Sequence, residues 1–298
     1  MLIVILLVTL RTESIIINQI IIMKVKSLLL ALVLPLFISV PAMAGKHWVA
    51  TWATAEQVVE PHNCPPAPYL ENNSIRQIVQ VSISGKKIRL KFSNEFSKGP
   101  VTINAAEVAI AATAGSSSDI VAGTEKSLTF NGSPSVTIQP GELVISDPIN
   151  FKLNNRENVA ITMHLGEASS TSVTGHPGSR TTSYIAEGQT SDFSNATATA
   201  HWYIINAIEV FAEKNARAVV VLGNSITDGR GSTTDQQNRW TDNLSRRLLE
   251  NKSTKRVAVL NMGLGGNCIL NGGLGPTGRS RYNRDLFQQE GVKYIILF

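Results

Sequence analysis

Two short glycine-rich segments contain the residues of this chain best suited to chemistry. The first is Gly223-Asn224-Ser225-Ile226-Thr227-Asp228-Gly229, and the second is Asn261-Met262-Gly263-Leu264-Gly265-Gly266-Asn267. Each follows a continuous apolar run. A serine just after a buried strand, flanked by glycines, can sit on a tight turn with its hydroxyl presented as a nucleophile. Its own N–H can point at a developing oxyanion. Glycines in the second segment let the backbone approach a bound substrate and offer a second N–H donor. The plain alternatives are a phosphate cradle or a simple turn. Neither segment is a Walker A motif, because no G-K-[ST] is present in them. The second segment misses G-x-G-x-x-G because Cys268 holds the last glycine position, and the first misses G-x-S-x-G because of Thr227.

A serine nucleophile needs a base within hydrogen-bond reach, and the base needs an orienting partner. His47, His62, His164, His176 and His201 all precede Ser225. They read as surface or locally bonded histidines, since only a fortuitous docking would bring one of them to the serine. Asp228, three residues after Ser225, reads as a turn aspartate bonded to its own backbone. His62 with Cys64 is too sparse for a metal site, which takes three or four ligands. No metal and no cofactor is expected.

The elements that position these residues fall into two styles. From Lys46 to about Phe211 the pattern is strand after strand. Residues 74–82 and 87–92 alternate apolar and polar side chains at period two, and 101–110, 135–138, 143–145, 159–165 and 203–211 continue in the same way. Turn residues separate them, as at Ser84-Gly85, Asn131-Gly132-Ser133 and Pro140-Gly141. This predicts an all-β antiparallel sandwich over 45–214, jelly-roll-like. Near Asn215 the style changes. Residues 217–222 and 256–260 are continuous apolar runs, as expected of parallel strands covered on both faces. A loop over 223–238 leads to a helix with Trp240, Leu244 and Leu248 on one face. A glycine-rich loop over 263–275, a helix around 282–289 and a strand over 293–298 follow. This β-α-β-α-β series predicts the start of a doubly wound α/β domain over 215–298. With only three strands it reads as cut off within that domain.

The hydrophobic fraction of 43% and charged fraction of 16% are those of a globular chain. Formal charge is +5. Residues 1–44 carry three basic residues and one acidic, so the remainder has a net charge of +3. No basic run or aromatic-interleaved basic stripe remains, which argues against a nucleic-acid partner. Two cysteines, Cys64 and Cys268, cannot form a disulfide scaffold. Unpaired thiols are the preferred reading, and a bridge between the two units is the alternative.

Residues 1–44 read as a leader. Residues 23–44 have a basic start at Lys24 and Lys26, an apolar stretch over 28–40, and small residues at Ala42 and Ala44. This predicts a signal peptide cleaved after Ala44 and a secreted or periplasmic product. The stretch is short for a membrane span, so no stable membrane insertion is expected after processing. Residues 1–22 place a second apolar segment ahead of a complete signal. They read as an extension from a wrongly assigned start, with Met23 as initiator; a true membrane anchor is the alternative.

Taken together, the two glycine-rich segments resemble those of the SGNH hydrolase superfamily, the GDSL-type lipases and esterases. The first block of that family, G-D-S-[LI]-T-D-G, is similar to Gly223–Gly229 and places the nucleophile on Ser225. The second, a strand followed by N-x-G-x-G-G-N, matches 261–267 and assigns the second oxyanion N–H to Gly266. Arg239-Trp240, Trp48-Val49-Ala50-Thr51-Trp52, Ile75-Arg76-Gln77 and Phe92-Ser93-Asn94 also resemble the secreted subgroup with an N-terminal β-sandwich. A His-Pro turn similar to Gly175-His176-Pro177-Gly178 recurs in that subgroup. The resemblance covers nearly all of the chain after the leader and implies a flavodoxin-like catalytic domain. Asn224 replaces the usual aspartate of the first block, which is not the family's catalytic acid. The family's G-x-N-D block and its D-x-x-H block, source of the acid and base, do not occur in this sequence.

The resemblance implies a serine hydrolase of carboxylic esters, acting through an acyl-enzyme on an ester-bearing small molecule, glycan or lipid. The 298-residue chain, without the acid and base, is expected to turn over little. The competing expectation is an exported carbohydrate-binding protein, with Trp48, Trp52, Tyr69 and Trp202 as sugar-stacking faces.

Overall fold

The computed structural model describes residues 45–298. The expected leader, with its cleavage after Ala44, lies outside the described residues. The chain is mostly antiparallel β-sheet, consistent with a β-sandwich. In a five-stranded sheet, His47–Ala53, Ile205–Ala212 and Gly85–Ser93 lie side by side, and Gly85–Ser93 also pairs with Leu143–Ile145 and Ile149–Leu153. In a seven-stranded sheet, Ser74–Gln80, Asn158–Leu165 and Val101–Ile110 form the centre. Alternation explains how these strands pack. Ile75 and Val79 enter the main core, whereas Ile78 packs with Ala111 and Ala160 in a separate cluster.

Several strand boundaries depart from the sequence pattern. The expected strand over 203–211 is two elements, Trp202–Tyr203 and Ile205–Ala212. Ile204 breaks it with a φ of 69°, where the chain passes from a small three-stranded sheet to the five-stranded one. Each peptide group at this break finds a new partner: Ile204 N–H donates to Thr174 O, and its carbonyl accepts from Ser93 N–H.

The apolar runs form three parallel strands. Arg217–Gly223 is central, with Val257–Gly263 on one side and Val292–Leu297 on the other. Ala218 and Val220 point into the main core, while Val219 joins Val257 and Val259 under Leu244 and Leu248 of the helix Trp240–Glu250. Both faces are therefore covered, which is why the run carries no polar alternation. The helix expected over 282–289 begins earlier, at Gly278. Thr277 Oγ1 caps it by accepting from Ser280 N–H, and after Tyr282 it widens into a π-helical turn, Asn283–Phe287. Among the described residues no helix is long and apolar enough to cross a membrane.

One buried cluster runs through both units, from Val49, Ile75 and Phe92 to Val220, Leu260 and Leu286. The antiparallel unit also closes an edge of the parallel sheet. Ser82 Oγ donates to Val259 O at 2.9 Å and accepts from Val259 N–H at 3.1 Å. Thr54 forms a parallel bridge to Asn261 on the same edge. These bonds serve peptide groups that an edge strand would otherwise leave open.

Candidate functional site

The two glycine-rich segments leave the same end of neighbouring strands, because Gly223 and Gly263 are register partners in the parallel ladder. Ser225 opens a four-residue helix, Ser225–Asp228. The expected loop over 223–238 thus contains a helical turn. Asn224 caps it: its side-chain oxygen accepts from Ile226 N–H at 3.3 Å. Asn224 therefore supplies a local acceptor at the start of the turn. Asn261 Nδ2 ties the two segments together by donating to Thr227 O at 2.7 Å. Leu264 N–H donates to Gly223 O at 3.1 Å.

Close approach explains Gly263. A Cβ there would collide with the backbone of Thr227 and Asp228, so any side chain would push the serine turn off the neighbouring strand. Gly266 has a φ of 68°, a left-handed conformation suited to glycine. Ser225 is half-buried and Gly266 exposed. Among the described residues, the Ser225 hydroxyl has no hydrogen-bond partner, and neither the Ser225 nor the Gly266 amide donates to a protein acceptor. Two unengaged amides and one unengaged hydroxyl therefore sit on adjoining strand ends.

Asp228 does not behave as a turn aspartate. Its Oδ1 lies 2.9 Å from His176 Nε2, and both side chains are buried. His176 comes from the sandwich strand Thr174–His176, and its Nδ1 faces the carbonyl of Ala55 at 2.8 Å. Both ring nitrogens thus face acceptors. Gly178 leaves room for the carboxylate, where a Cβ would collide with it. Buried within the fold, Asp228 meets a donor from the sandwich instead of its own backbone, which corrects the expectation for this residue.

No histidine bonds Ser225 among the described residues. His164 Nδ1 meets Ser74 Oγ at 2.8 Å, His201 Nδ1 meets Pro177 O at 2.7 Å, and His62 is exposed. Burial pushes the pKa values of both His164 and His201 down. Cys64 and Cys268 are free thiols, the second exposed. The proposed sugar-stacking faces are mostly spent inside the protein. Trp52 and Trp202 are buried edge to face at 5.1 Å, and Trp202 also stacks on His176. Arg89 covers Trp48, and only Tyr69 of the four is exposed.

A polar cavity of about 40 Å³ lies behind the serine turn, between Gln80 and Ser82 of the sandwich and Asp228, Thr241 and Ser245. It has room for ~2–3 water molecules. A cleft for a small organic ligand is roughly tenfold larger or more, so this space is too small for a substrate pocket.

The residue that sequence reasoning missed is Arg281. It is among the largest fully buried side chains of the protein, and its guanidinium bonds Gly223 O, Met262 O, Asn267 Oδ1 and Asp285. Its only sequence signal was a basic residue four positions before an acidic one, a spacing common on solvated helix faces. No protein-family model and no curated protein matches this chain.

Proposed function

We propose that this chain carries the nucleophile half of a serine ester hydrolase of the SGNH/GDSL type, exported by the leader at its N-terminus. The observation that carries the reading is the pairing of Gly223 with Gly263. It brings Ser225 and Gly266 out on adjoining strand ends, with the hydroxyl and both amides unengaged. The strand order, with the first parallel strand between the second and third, supports a flavodoxin-like sheet, in which ligands sit beyond the strand C-termini where the order reverses.

In this reading Ser225 Oγ attacks the ester carbonyl, and the N–H groups of Ser225 and Gly266 receive the negative charge on its oxygen. Collapse of the tetrahedral adduct expels the alcohol and leaves an acyl-serine. Water then releases the acid and restores the hydroxyl. Taking the serine proton and returning it to the alcohol is work for an Asp/His pair. Among the described residues no histidine reaches Ser225: the imidazole rings of His164, His176 and His201 bond other groups. His176 is already committed at both nitrogens and belongs to the support of the turn. The substrate is an ester-bearing small molecule, glycan or lipid.

The test is hydrolysis of a short-chain p-nitrophenyl ester by the protein expressed to its natural stop codon. Ser225→Ala should abolish it, while the 298-residue chain alone should turn over little. Full activity in the Ser225→Ala protein ends the reading.

A further inference from the structure

We propose that Arg281 is a positioning residue for the two oxyanion amides: one buried guanidinium sets the spacing between the Ser225 turn and the Gly266 loop. This inference rests on the hydrolase reading above.

The geometry is specific. Nη2 donates to Gly223 O at 3.0 Å, at the end of the strand that leads into Ser225. Nη1 donates to Met262 O at 2.8 Å, at the end of the strand that leads to Gly266. Nε donates to Asn267 Oδ1 at 3.0 Å, on the residue next to Gly266. Asn267 passes the restraint onward, because its Nδ2 donates to Leu274 O at 2.9 Å and Pro276 O at 2.7 Å. Leu274 N–H returns to Gly266 O at 2.9 Å. A single planar group therefore reaches both strand ends and the loop that holds the second amide.

The charge is answered locally. Asp285 Oδ2 lies 2.6 Å from Nη1, and its Oδ1 accepts from Arg284 Nε at 2.6 Å. Burial lowers the Arg281 pKa and Asp285 opposes that shift, consistent with a cation kept in place by its partner. The Asp285 pair answers the charge, and the other acceptors satisfy the N–H groups that burial would otherwise strand. The remaining three bonds all end on the two segments that carry the candidate site. A lysine could answer Asp285 but has no rigid fork to reach three acceptors in one plane. With 2% of its surface exposed, Arg281 cannot touch substrate, so it acts through the backbone.

The experiment compares wild type, Ser225→Ala, Arg281→Lys and Asn267→Ala, each expressed to the natural stop codon. For Arg281→Lys, kcat for a p-nitrophenyl ester should fall about 100-fold or more, while KM changes less than threefold. The same variant should speed amide exchange at Leu264 and Leu274 at least tenfold and leave the 158–165 strand unchanged. Asn267→Ala, which removes one arm of the fork and keeps the Asp285 pair, should lower kcat by about tenfold. The proposal is overturned if kcat in Arg281→Lys stays within threefold of wild type, or if Leu264 and Leu274 exchange no faster. It is equally overturned if exchange rises throughout the chain, as for a general loss of stability. Hydrolysis that persists in Ser225→Ala instead defeats the hydrolase reading; the exchange of Leu264 and Leu274 still judges Arg281 by itself.

Discussion

Two buried side chains from distant parts of the chain hold the serine turn. His176 reaches Asp228 from 52 residues upstream, and Arg281 reaches Gly223 from 58 residues downstream. The two supports differ in redundancy. Asp228 has the His176 ring as its hydrogen-bond partner, whereas Asp285 is shared by Arg281 and Arg284. Arg284 extends that second network into the sandwich through Glu95 and the carbonyl of Glu56. A buried charge with one partner fails when the partner is removed; a charge with two is buffered. The sandwich side of the turn is therefore the brittle one.

Removing His176 should produce the largest effect. His176→Ala leaves the Asp228 carboxylate buried and unpaired, at a cost of about 3–5 kcal/mol in a urea titration. Adding Asp228→Asn should recover part of that loss, and a strictly additive double mutant would remove the basis for calling the pair coupled.

The Arg284 side of the comparison has a pH dependence of its own. Burial pushes the Glu56 carboxyl up to about 8, against an opposing hydrogen bond from Asn206. The folded state thus holds a proton that the unfolded chain has released, so this group's contribution is fully present below pH 4.5 and is lost as pH rises to about 8. The slope is roughly 1.4 kcal/mol per pH unit within that window. Glu56→Gln should flatten stability against pH there; an unchanged slope would assign the dependence to other groups.

Gly263→Ala tests the contact that both supports protect. Its methyl meets the backbone of residues 227–228, so a loss of about 1–3 kcal/mol is expected in thermal melts. Arg284→Gln should give the smallest change, about 1 kcal/mol, because Asp285 keeps Arg281. A loss as large as that of His176→Ala would erase the contrast between the two sides.

How much could be read from the sequence depends on the range of the interaction. Val101–Ile110 follows its predicted bounds because its period-two pattern is a local property, and the apolar run of Arg217–Gly223 needed no partner to be recognised. The two-residue strands Gln57–Val58 and Lys126–Ser127 have no pattern of their own. They exist because a neighbouring strand offers them hydrogen bonds. At the site, the glycine spacing located the two segments, since close backbone approach restricts residue type. The partners of Asp228 were hidden. A turn aspartate and a histidine 52 residues away meet only after both units pack, and neither position marks the other. Arg281 was hidden for the same reason, because three of its four partners are oxygens of the backbone or of an ordinary asparagine.

The two hydrogen bonds between Ser82 and the peptide of Val259 also make growth of the parallel sheet directional. With that flank sealed by a hydroxyl, an additional strand can join only beyond Val292–Leu297. The sealing groups, at positions 54 and 82, are synthesised long before residue 259 leaves the ribosome. The flank is thus closed by groups that precede the parallel strands in the chain.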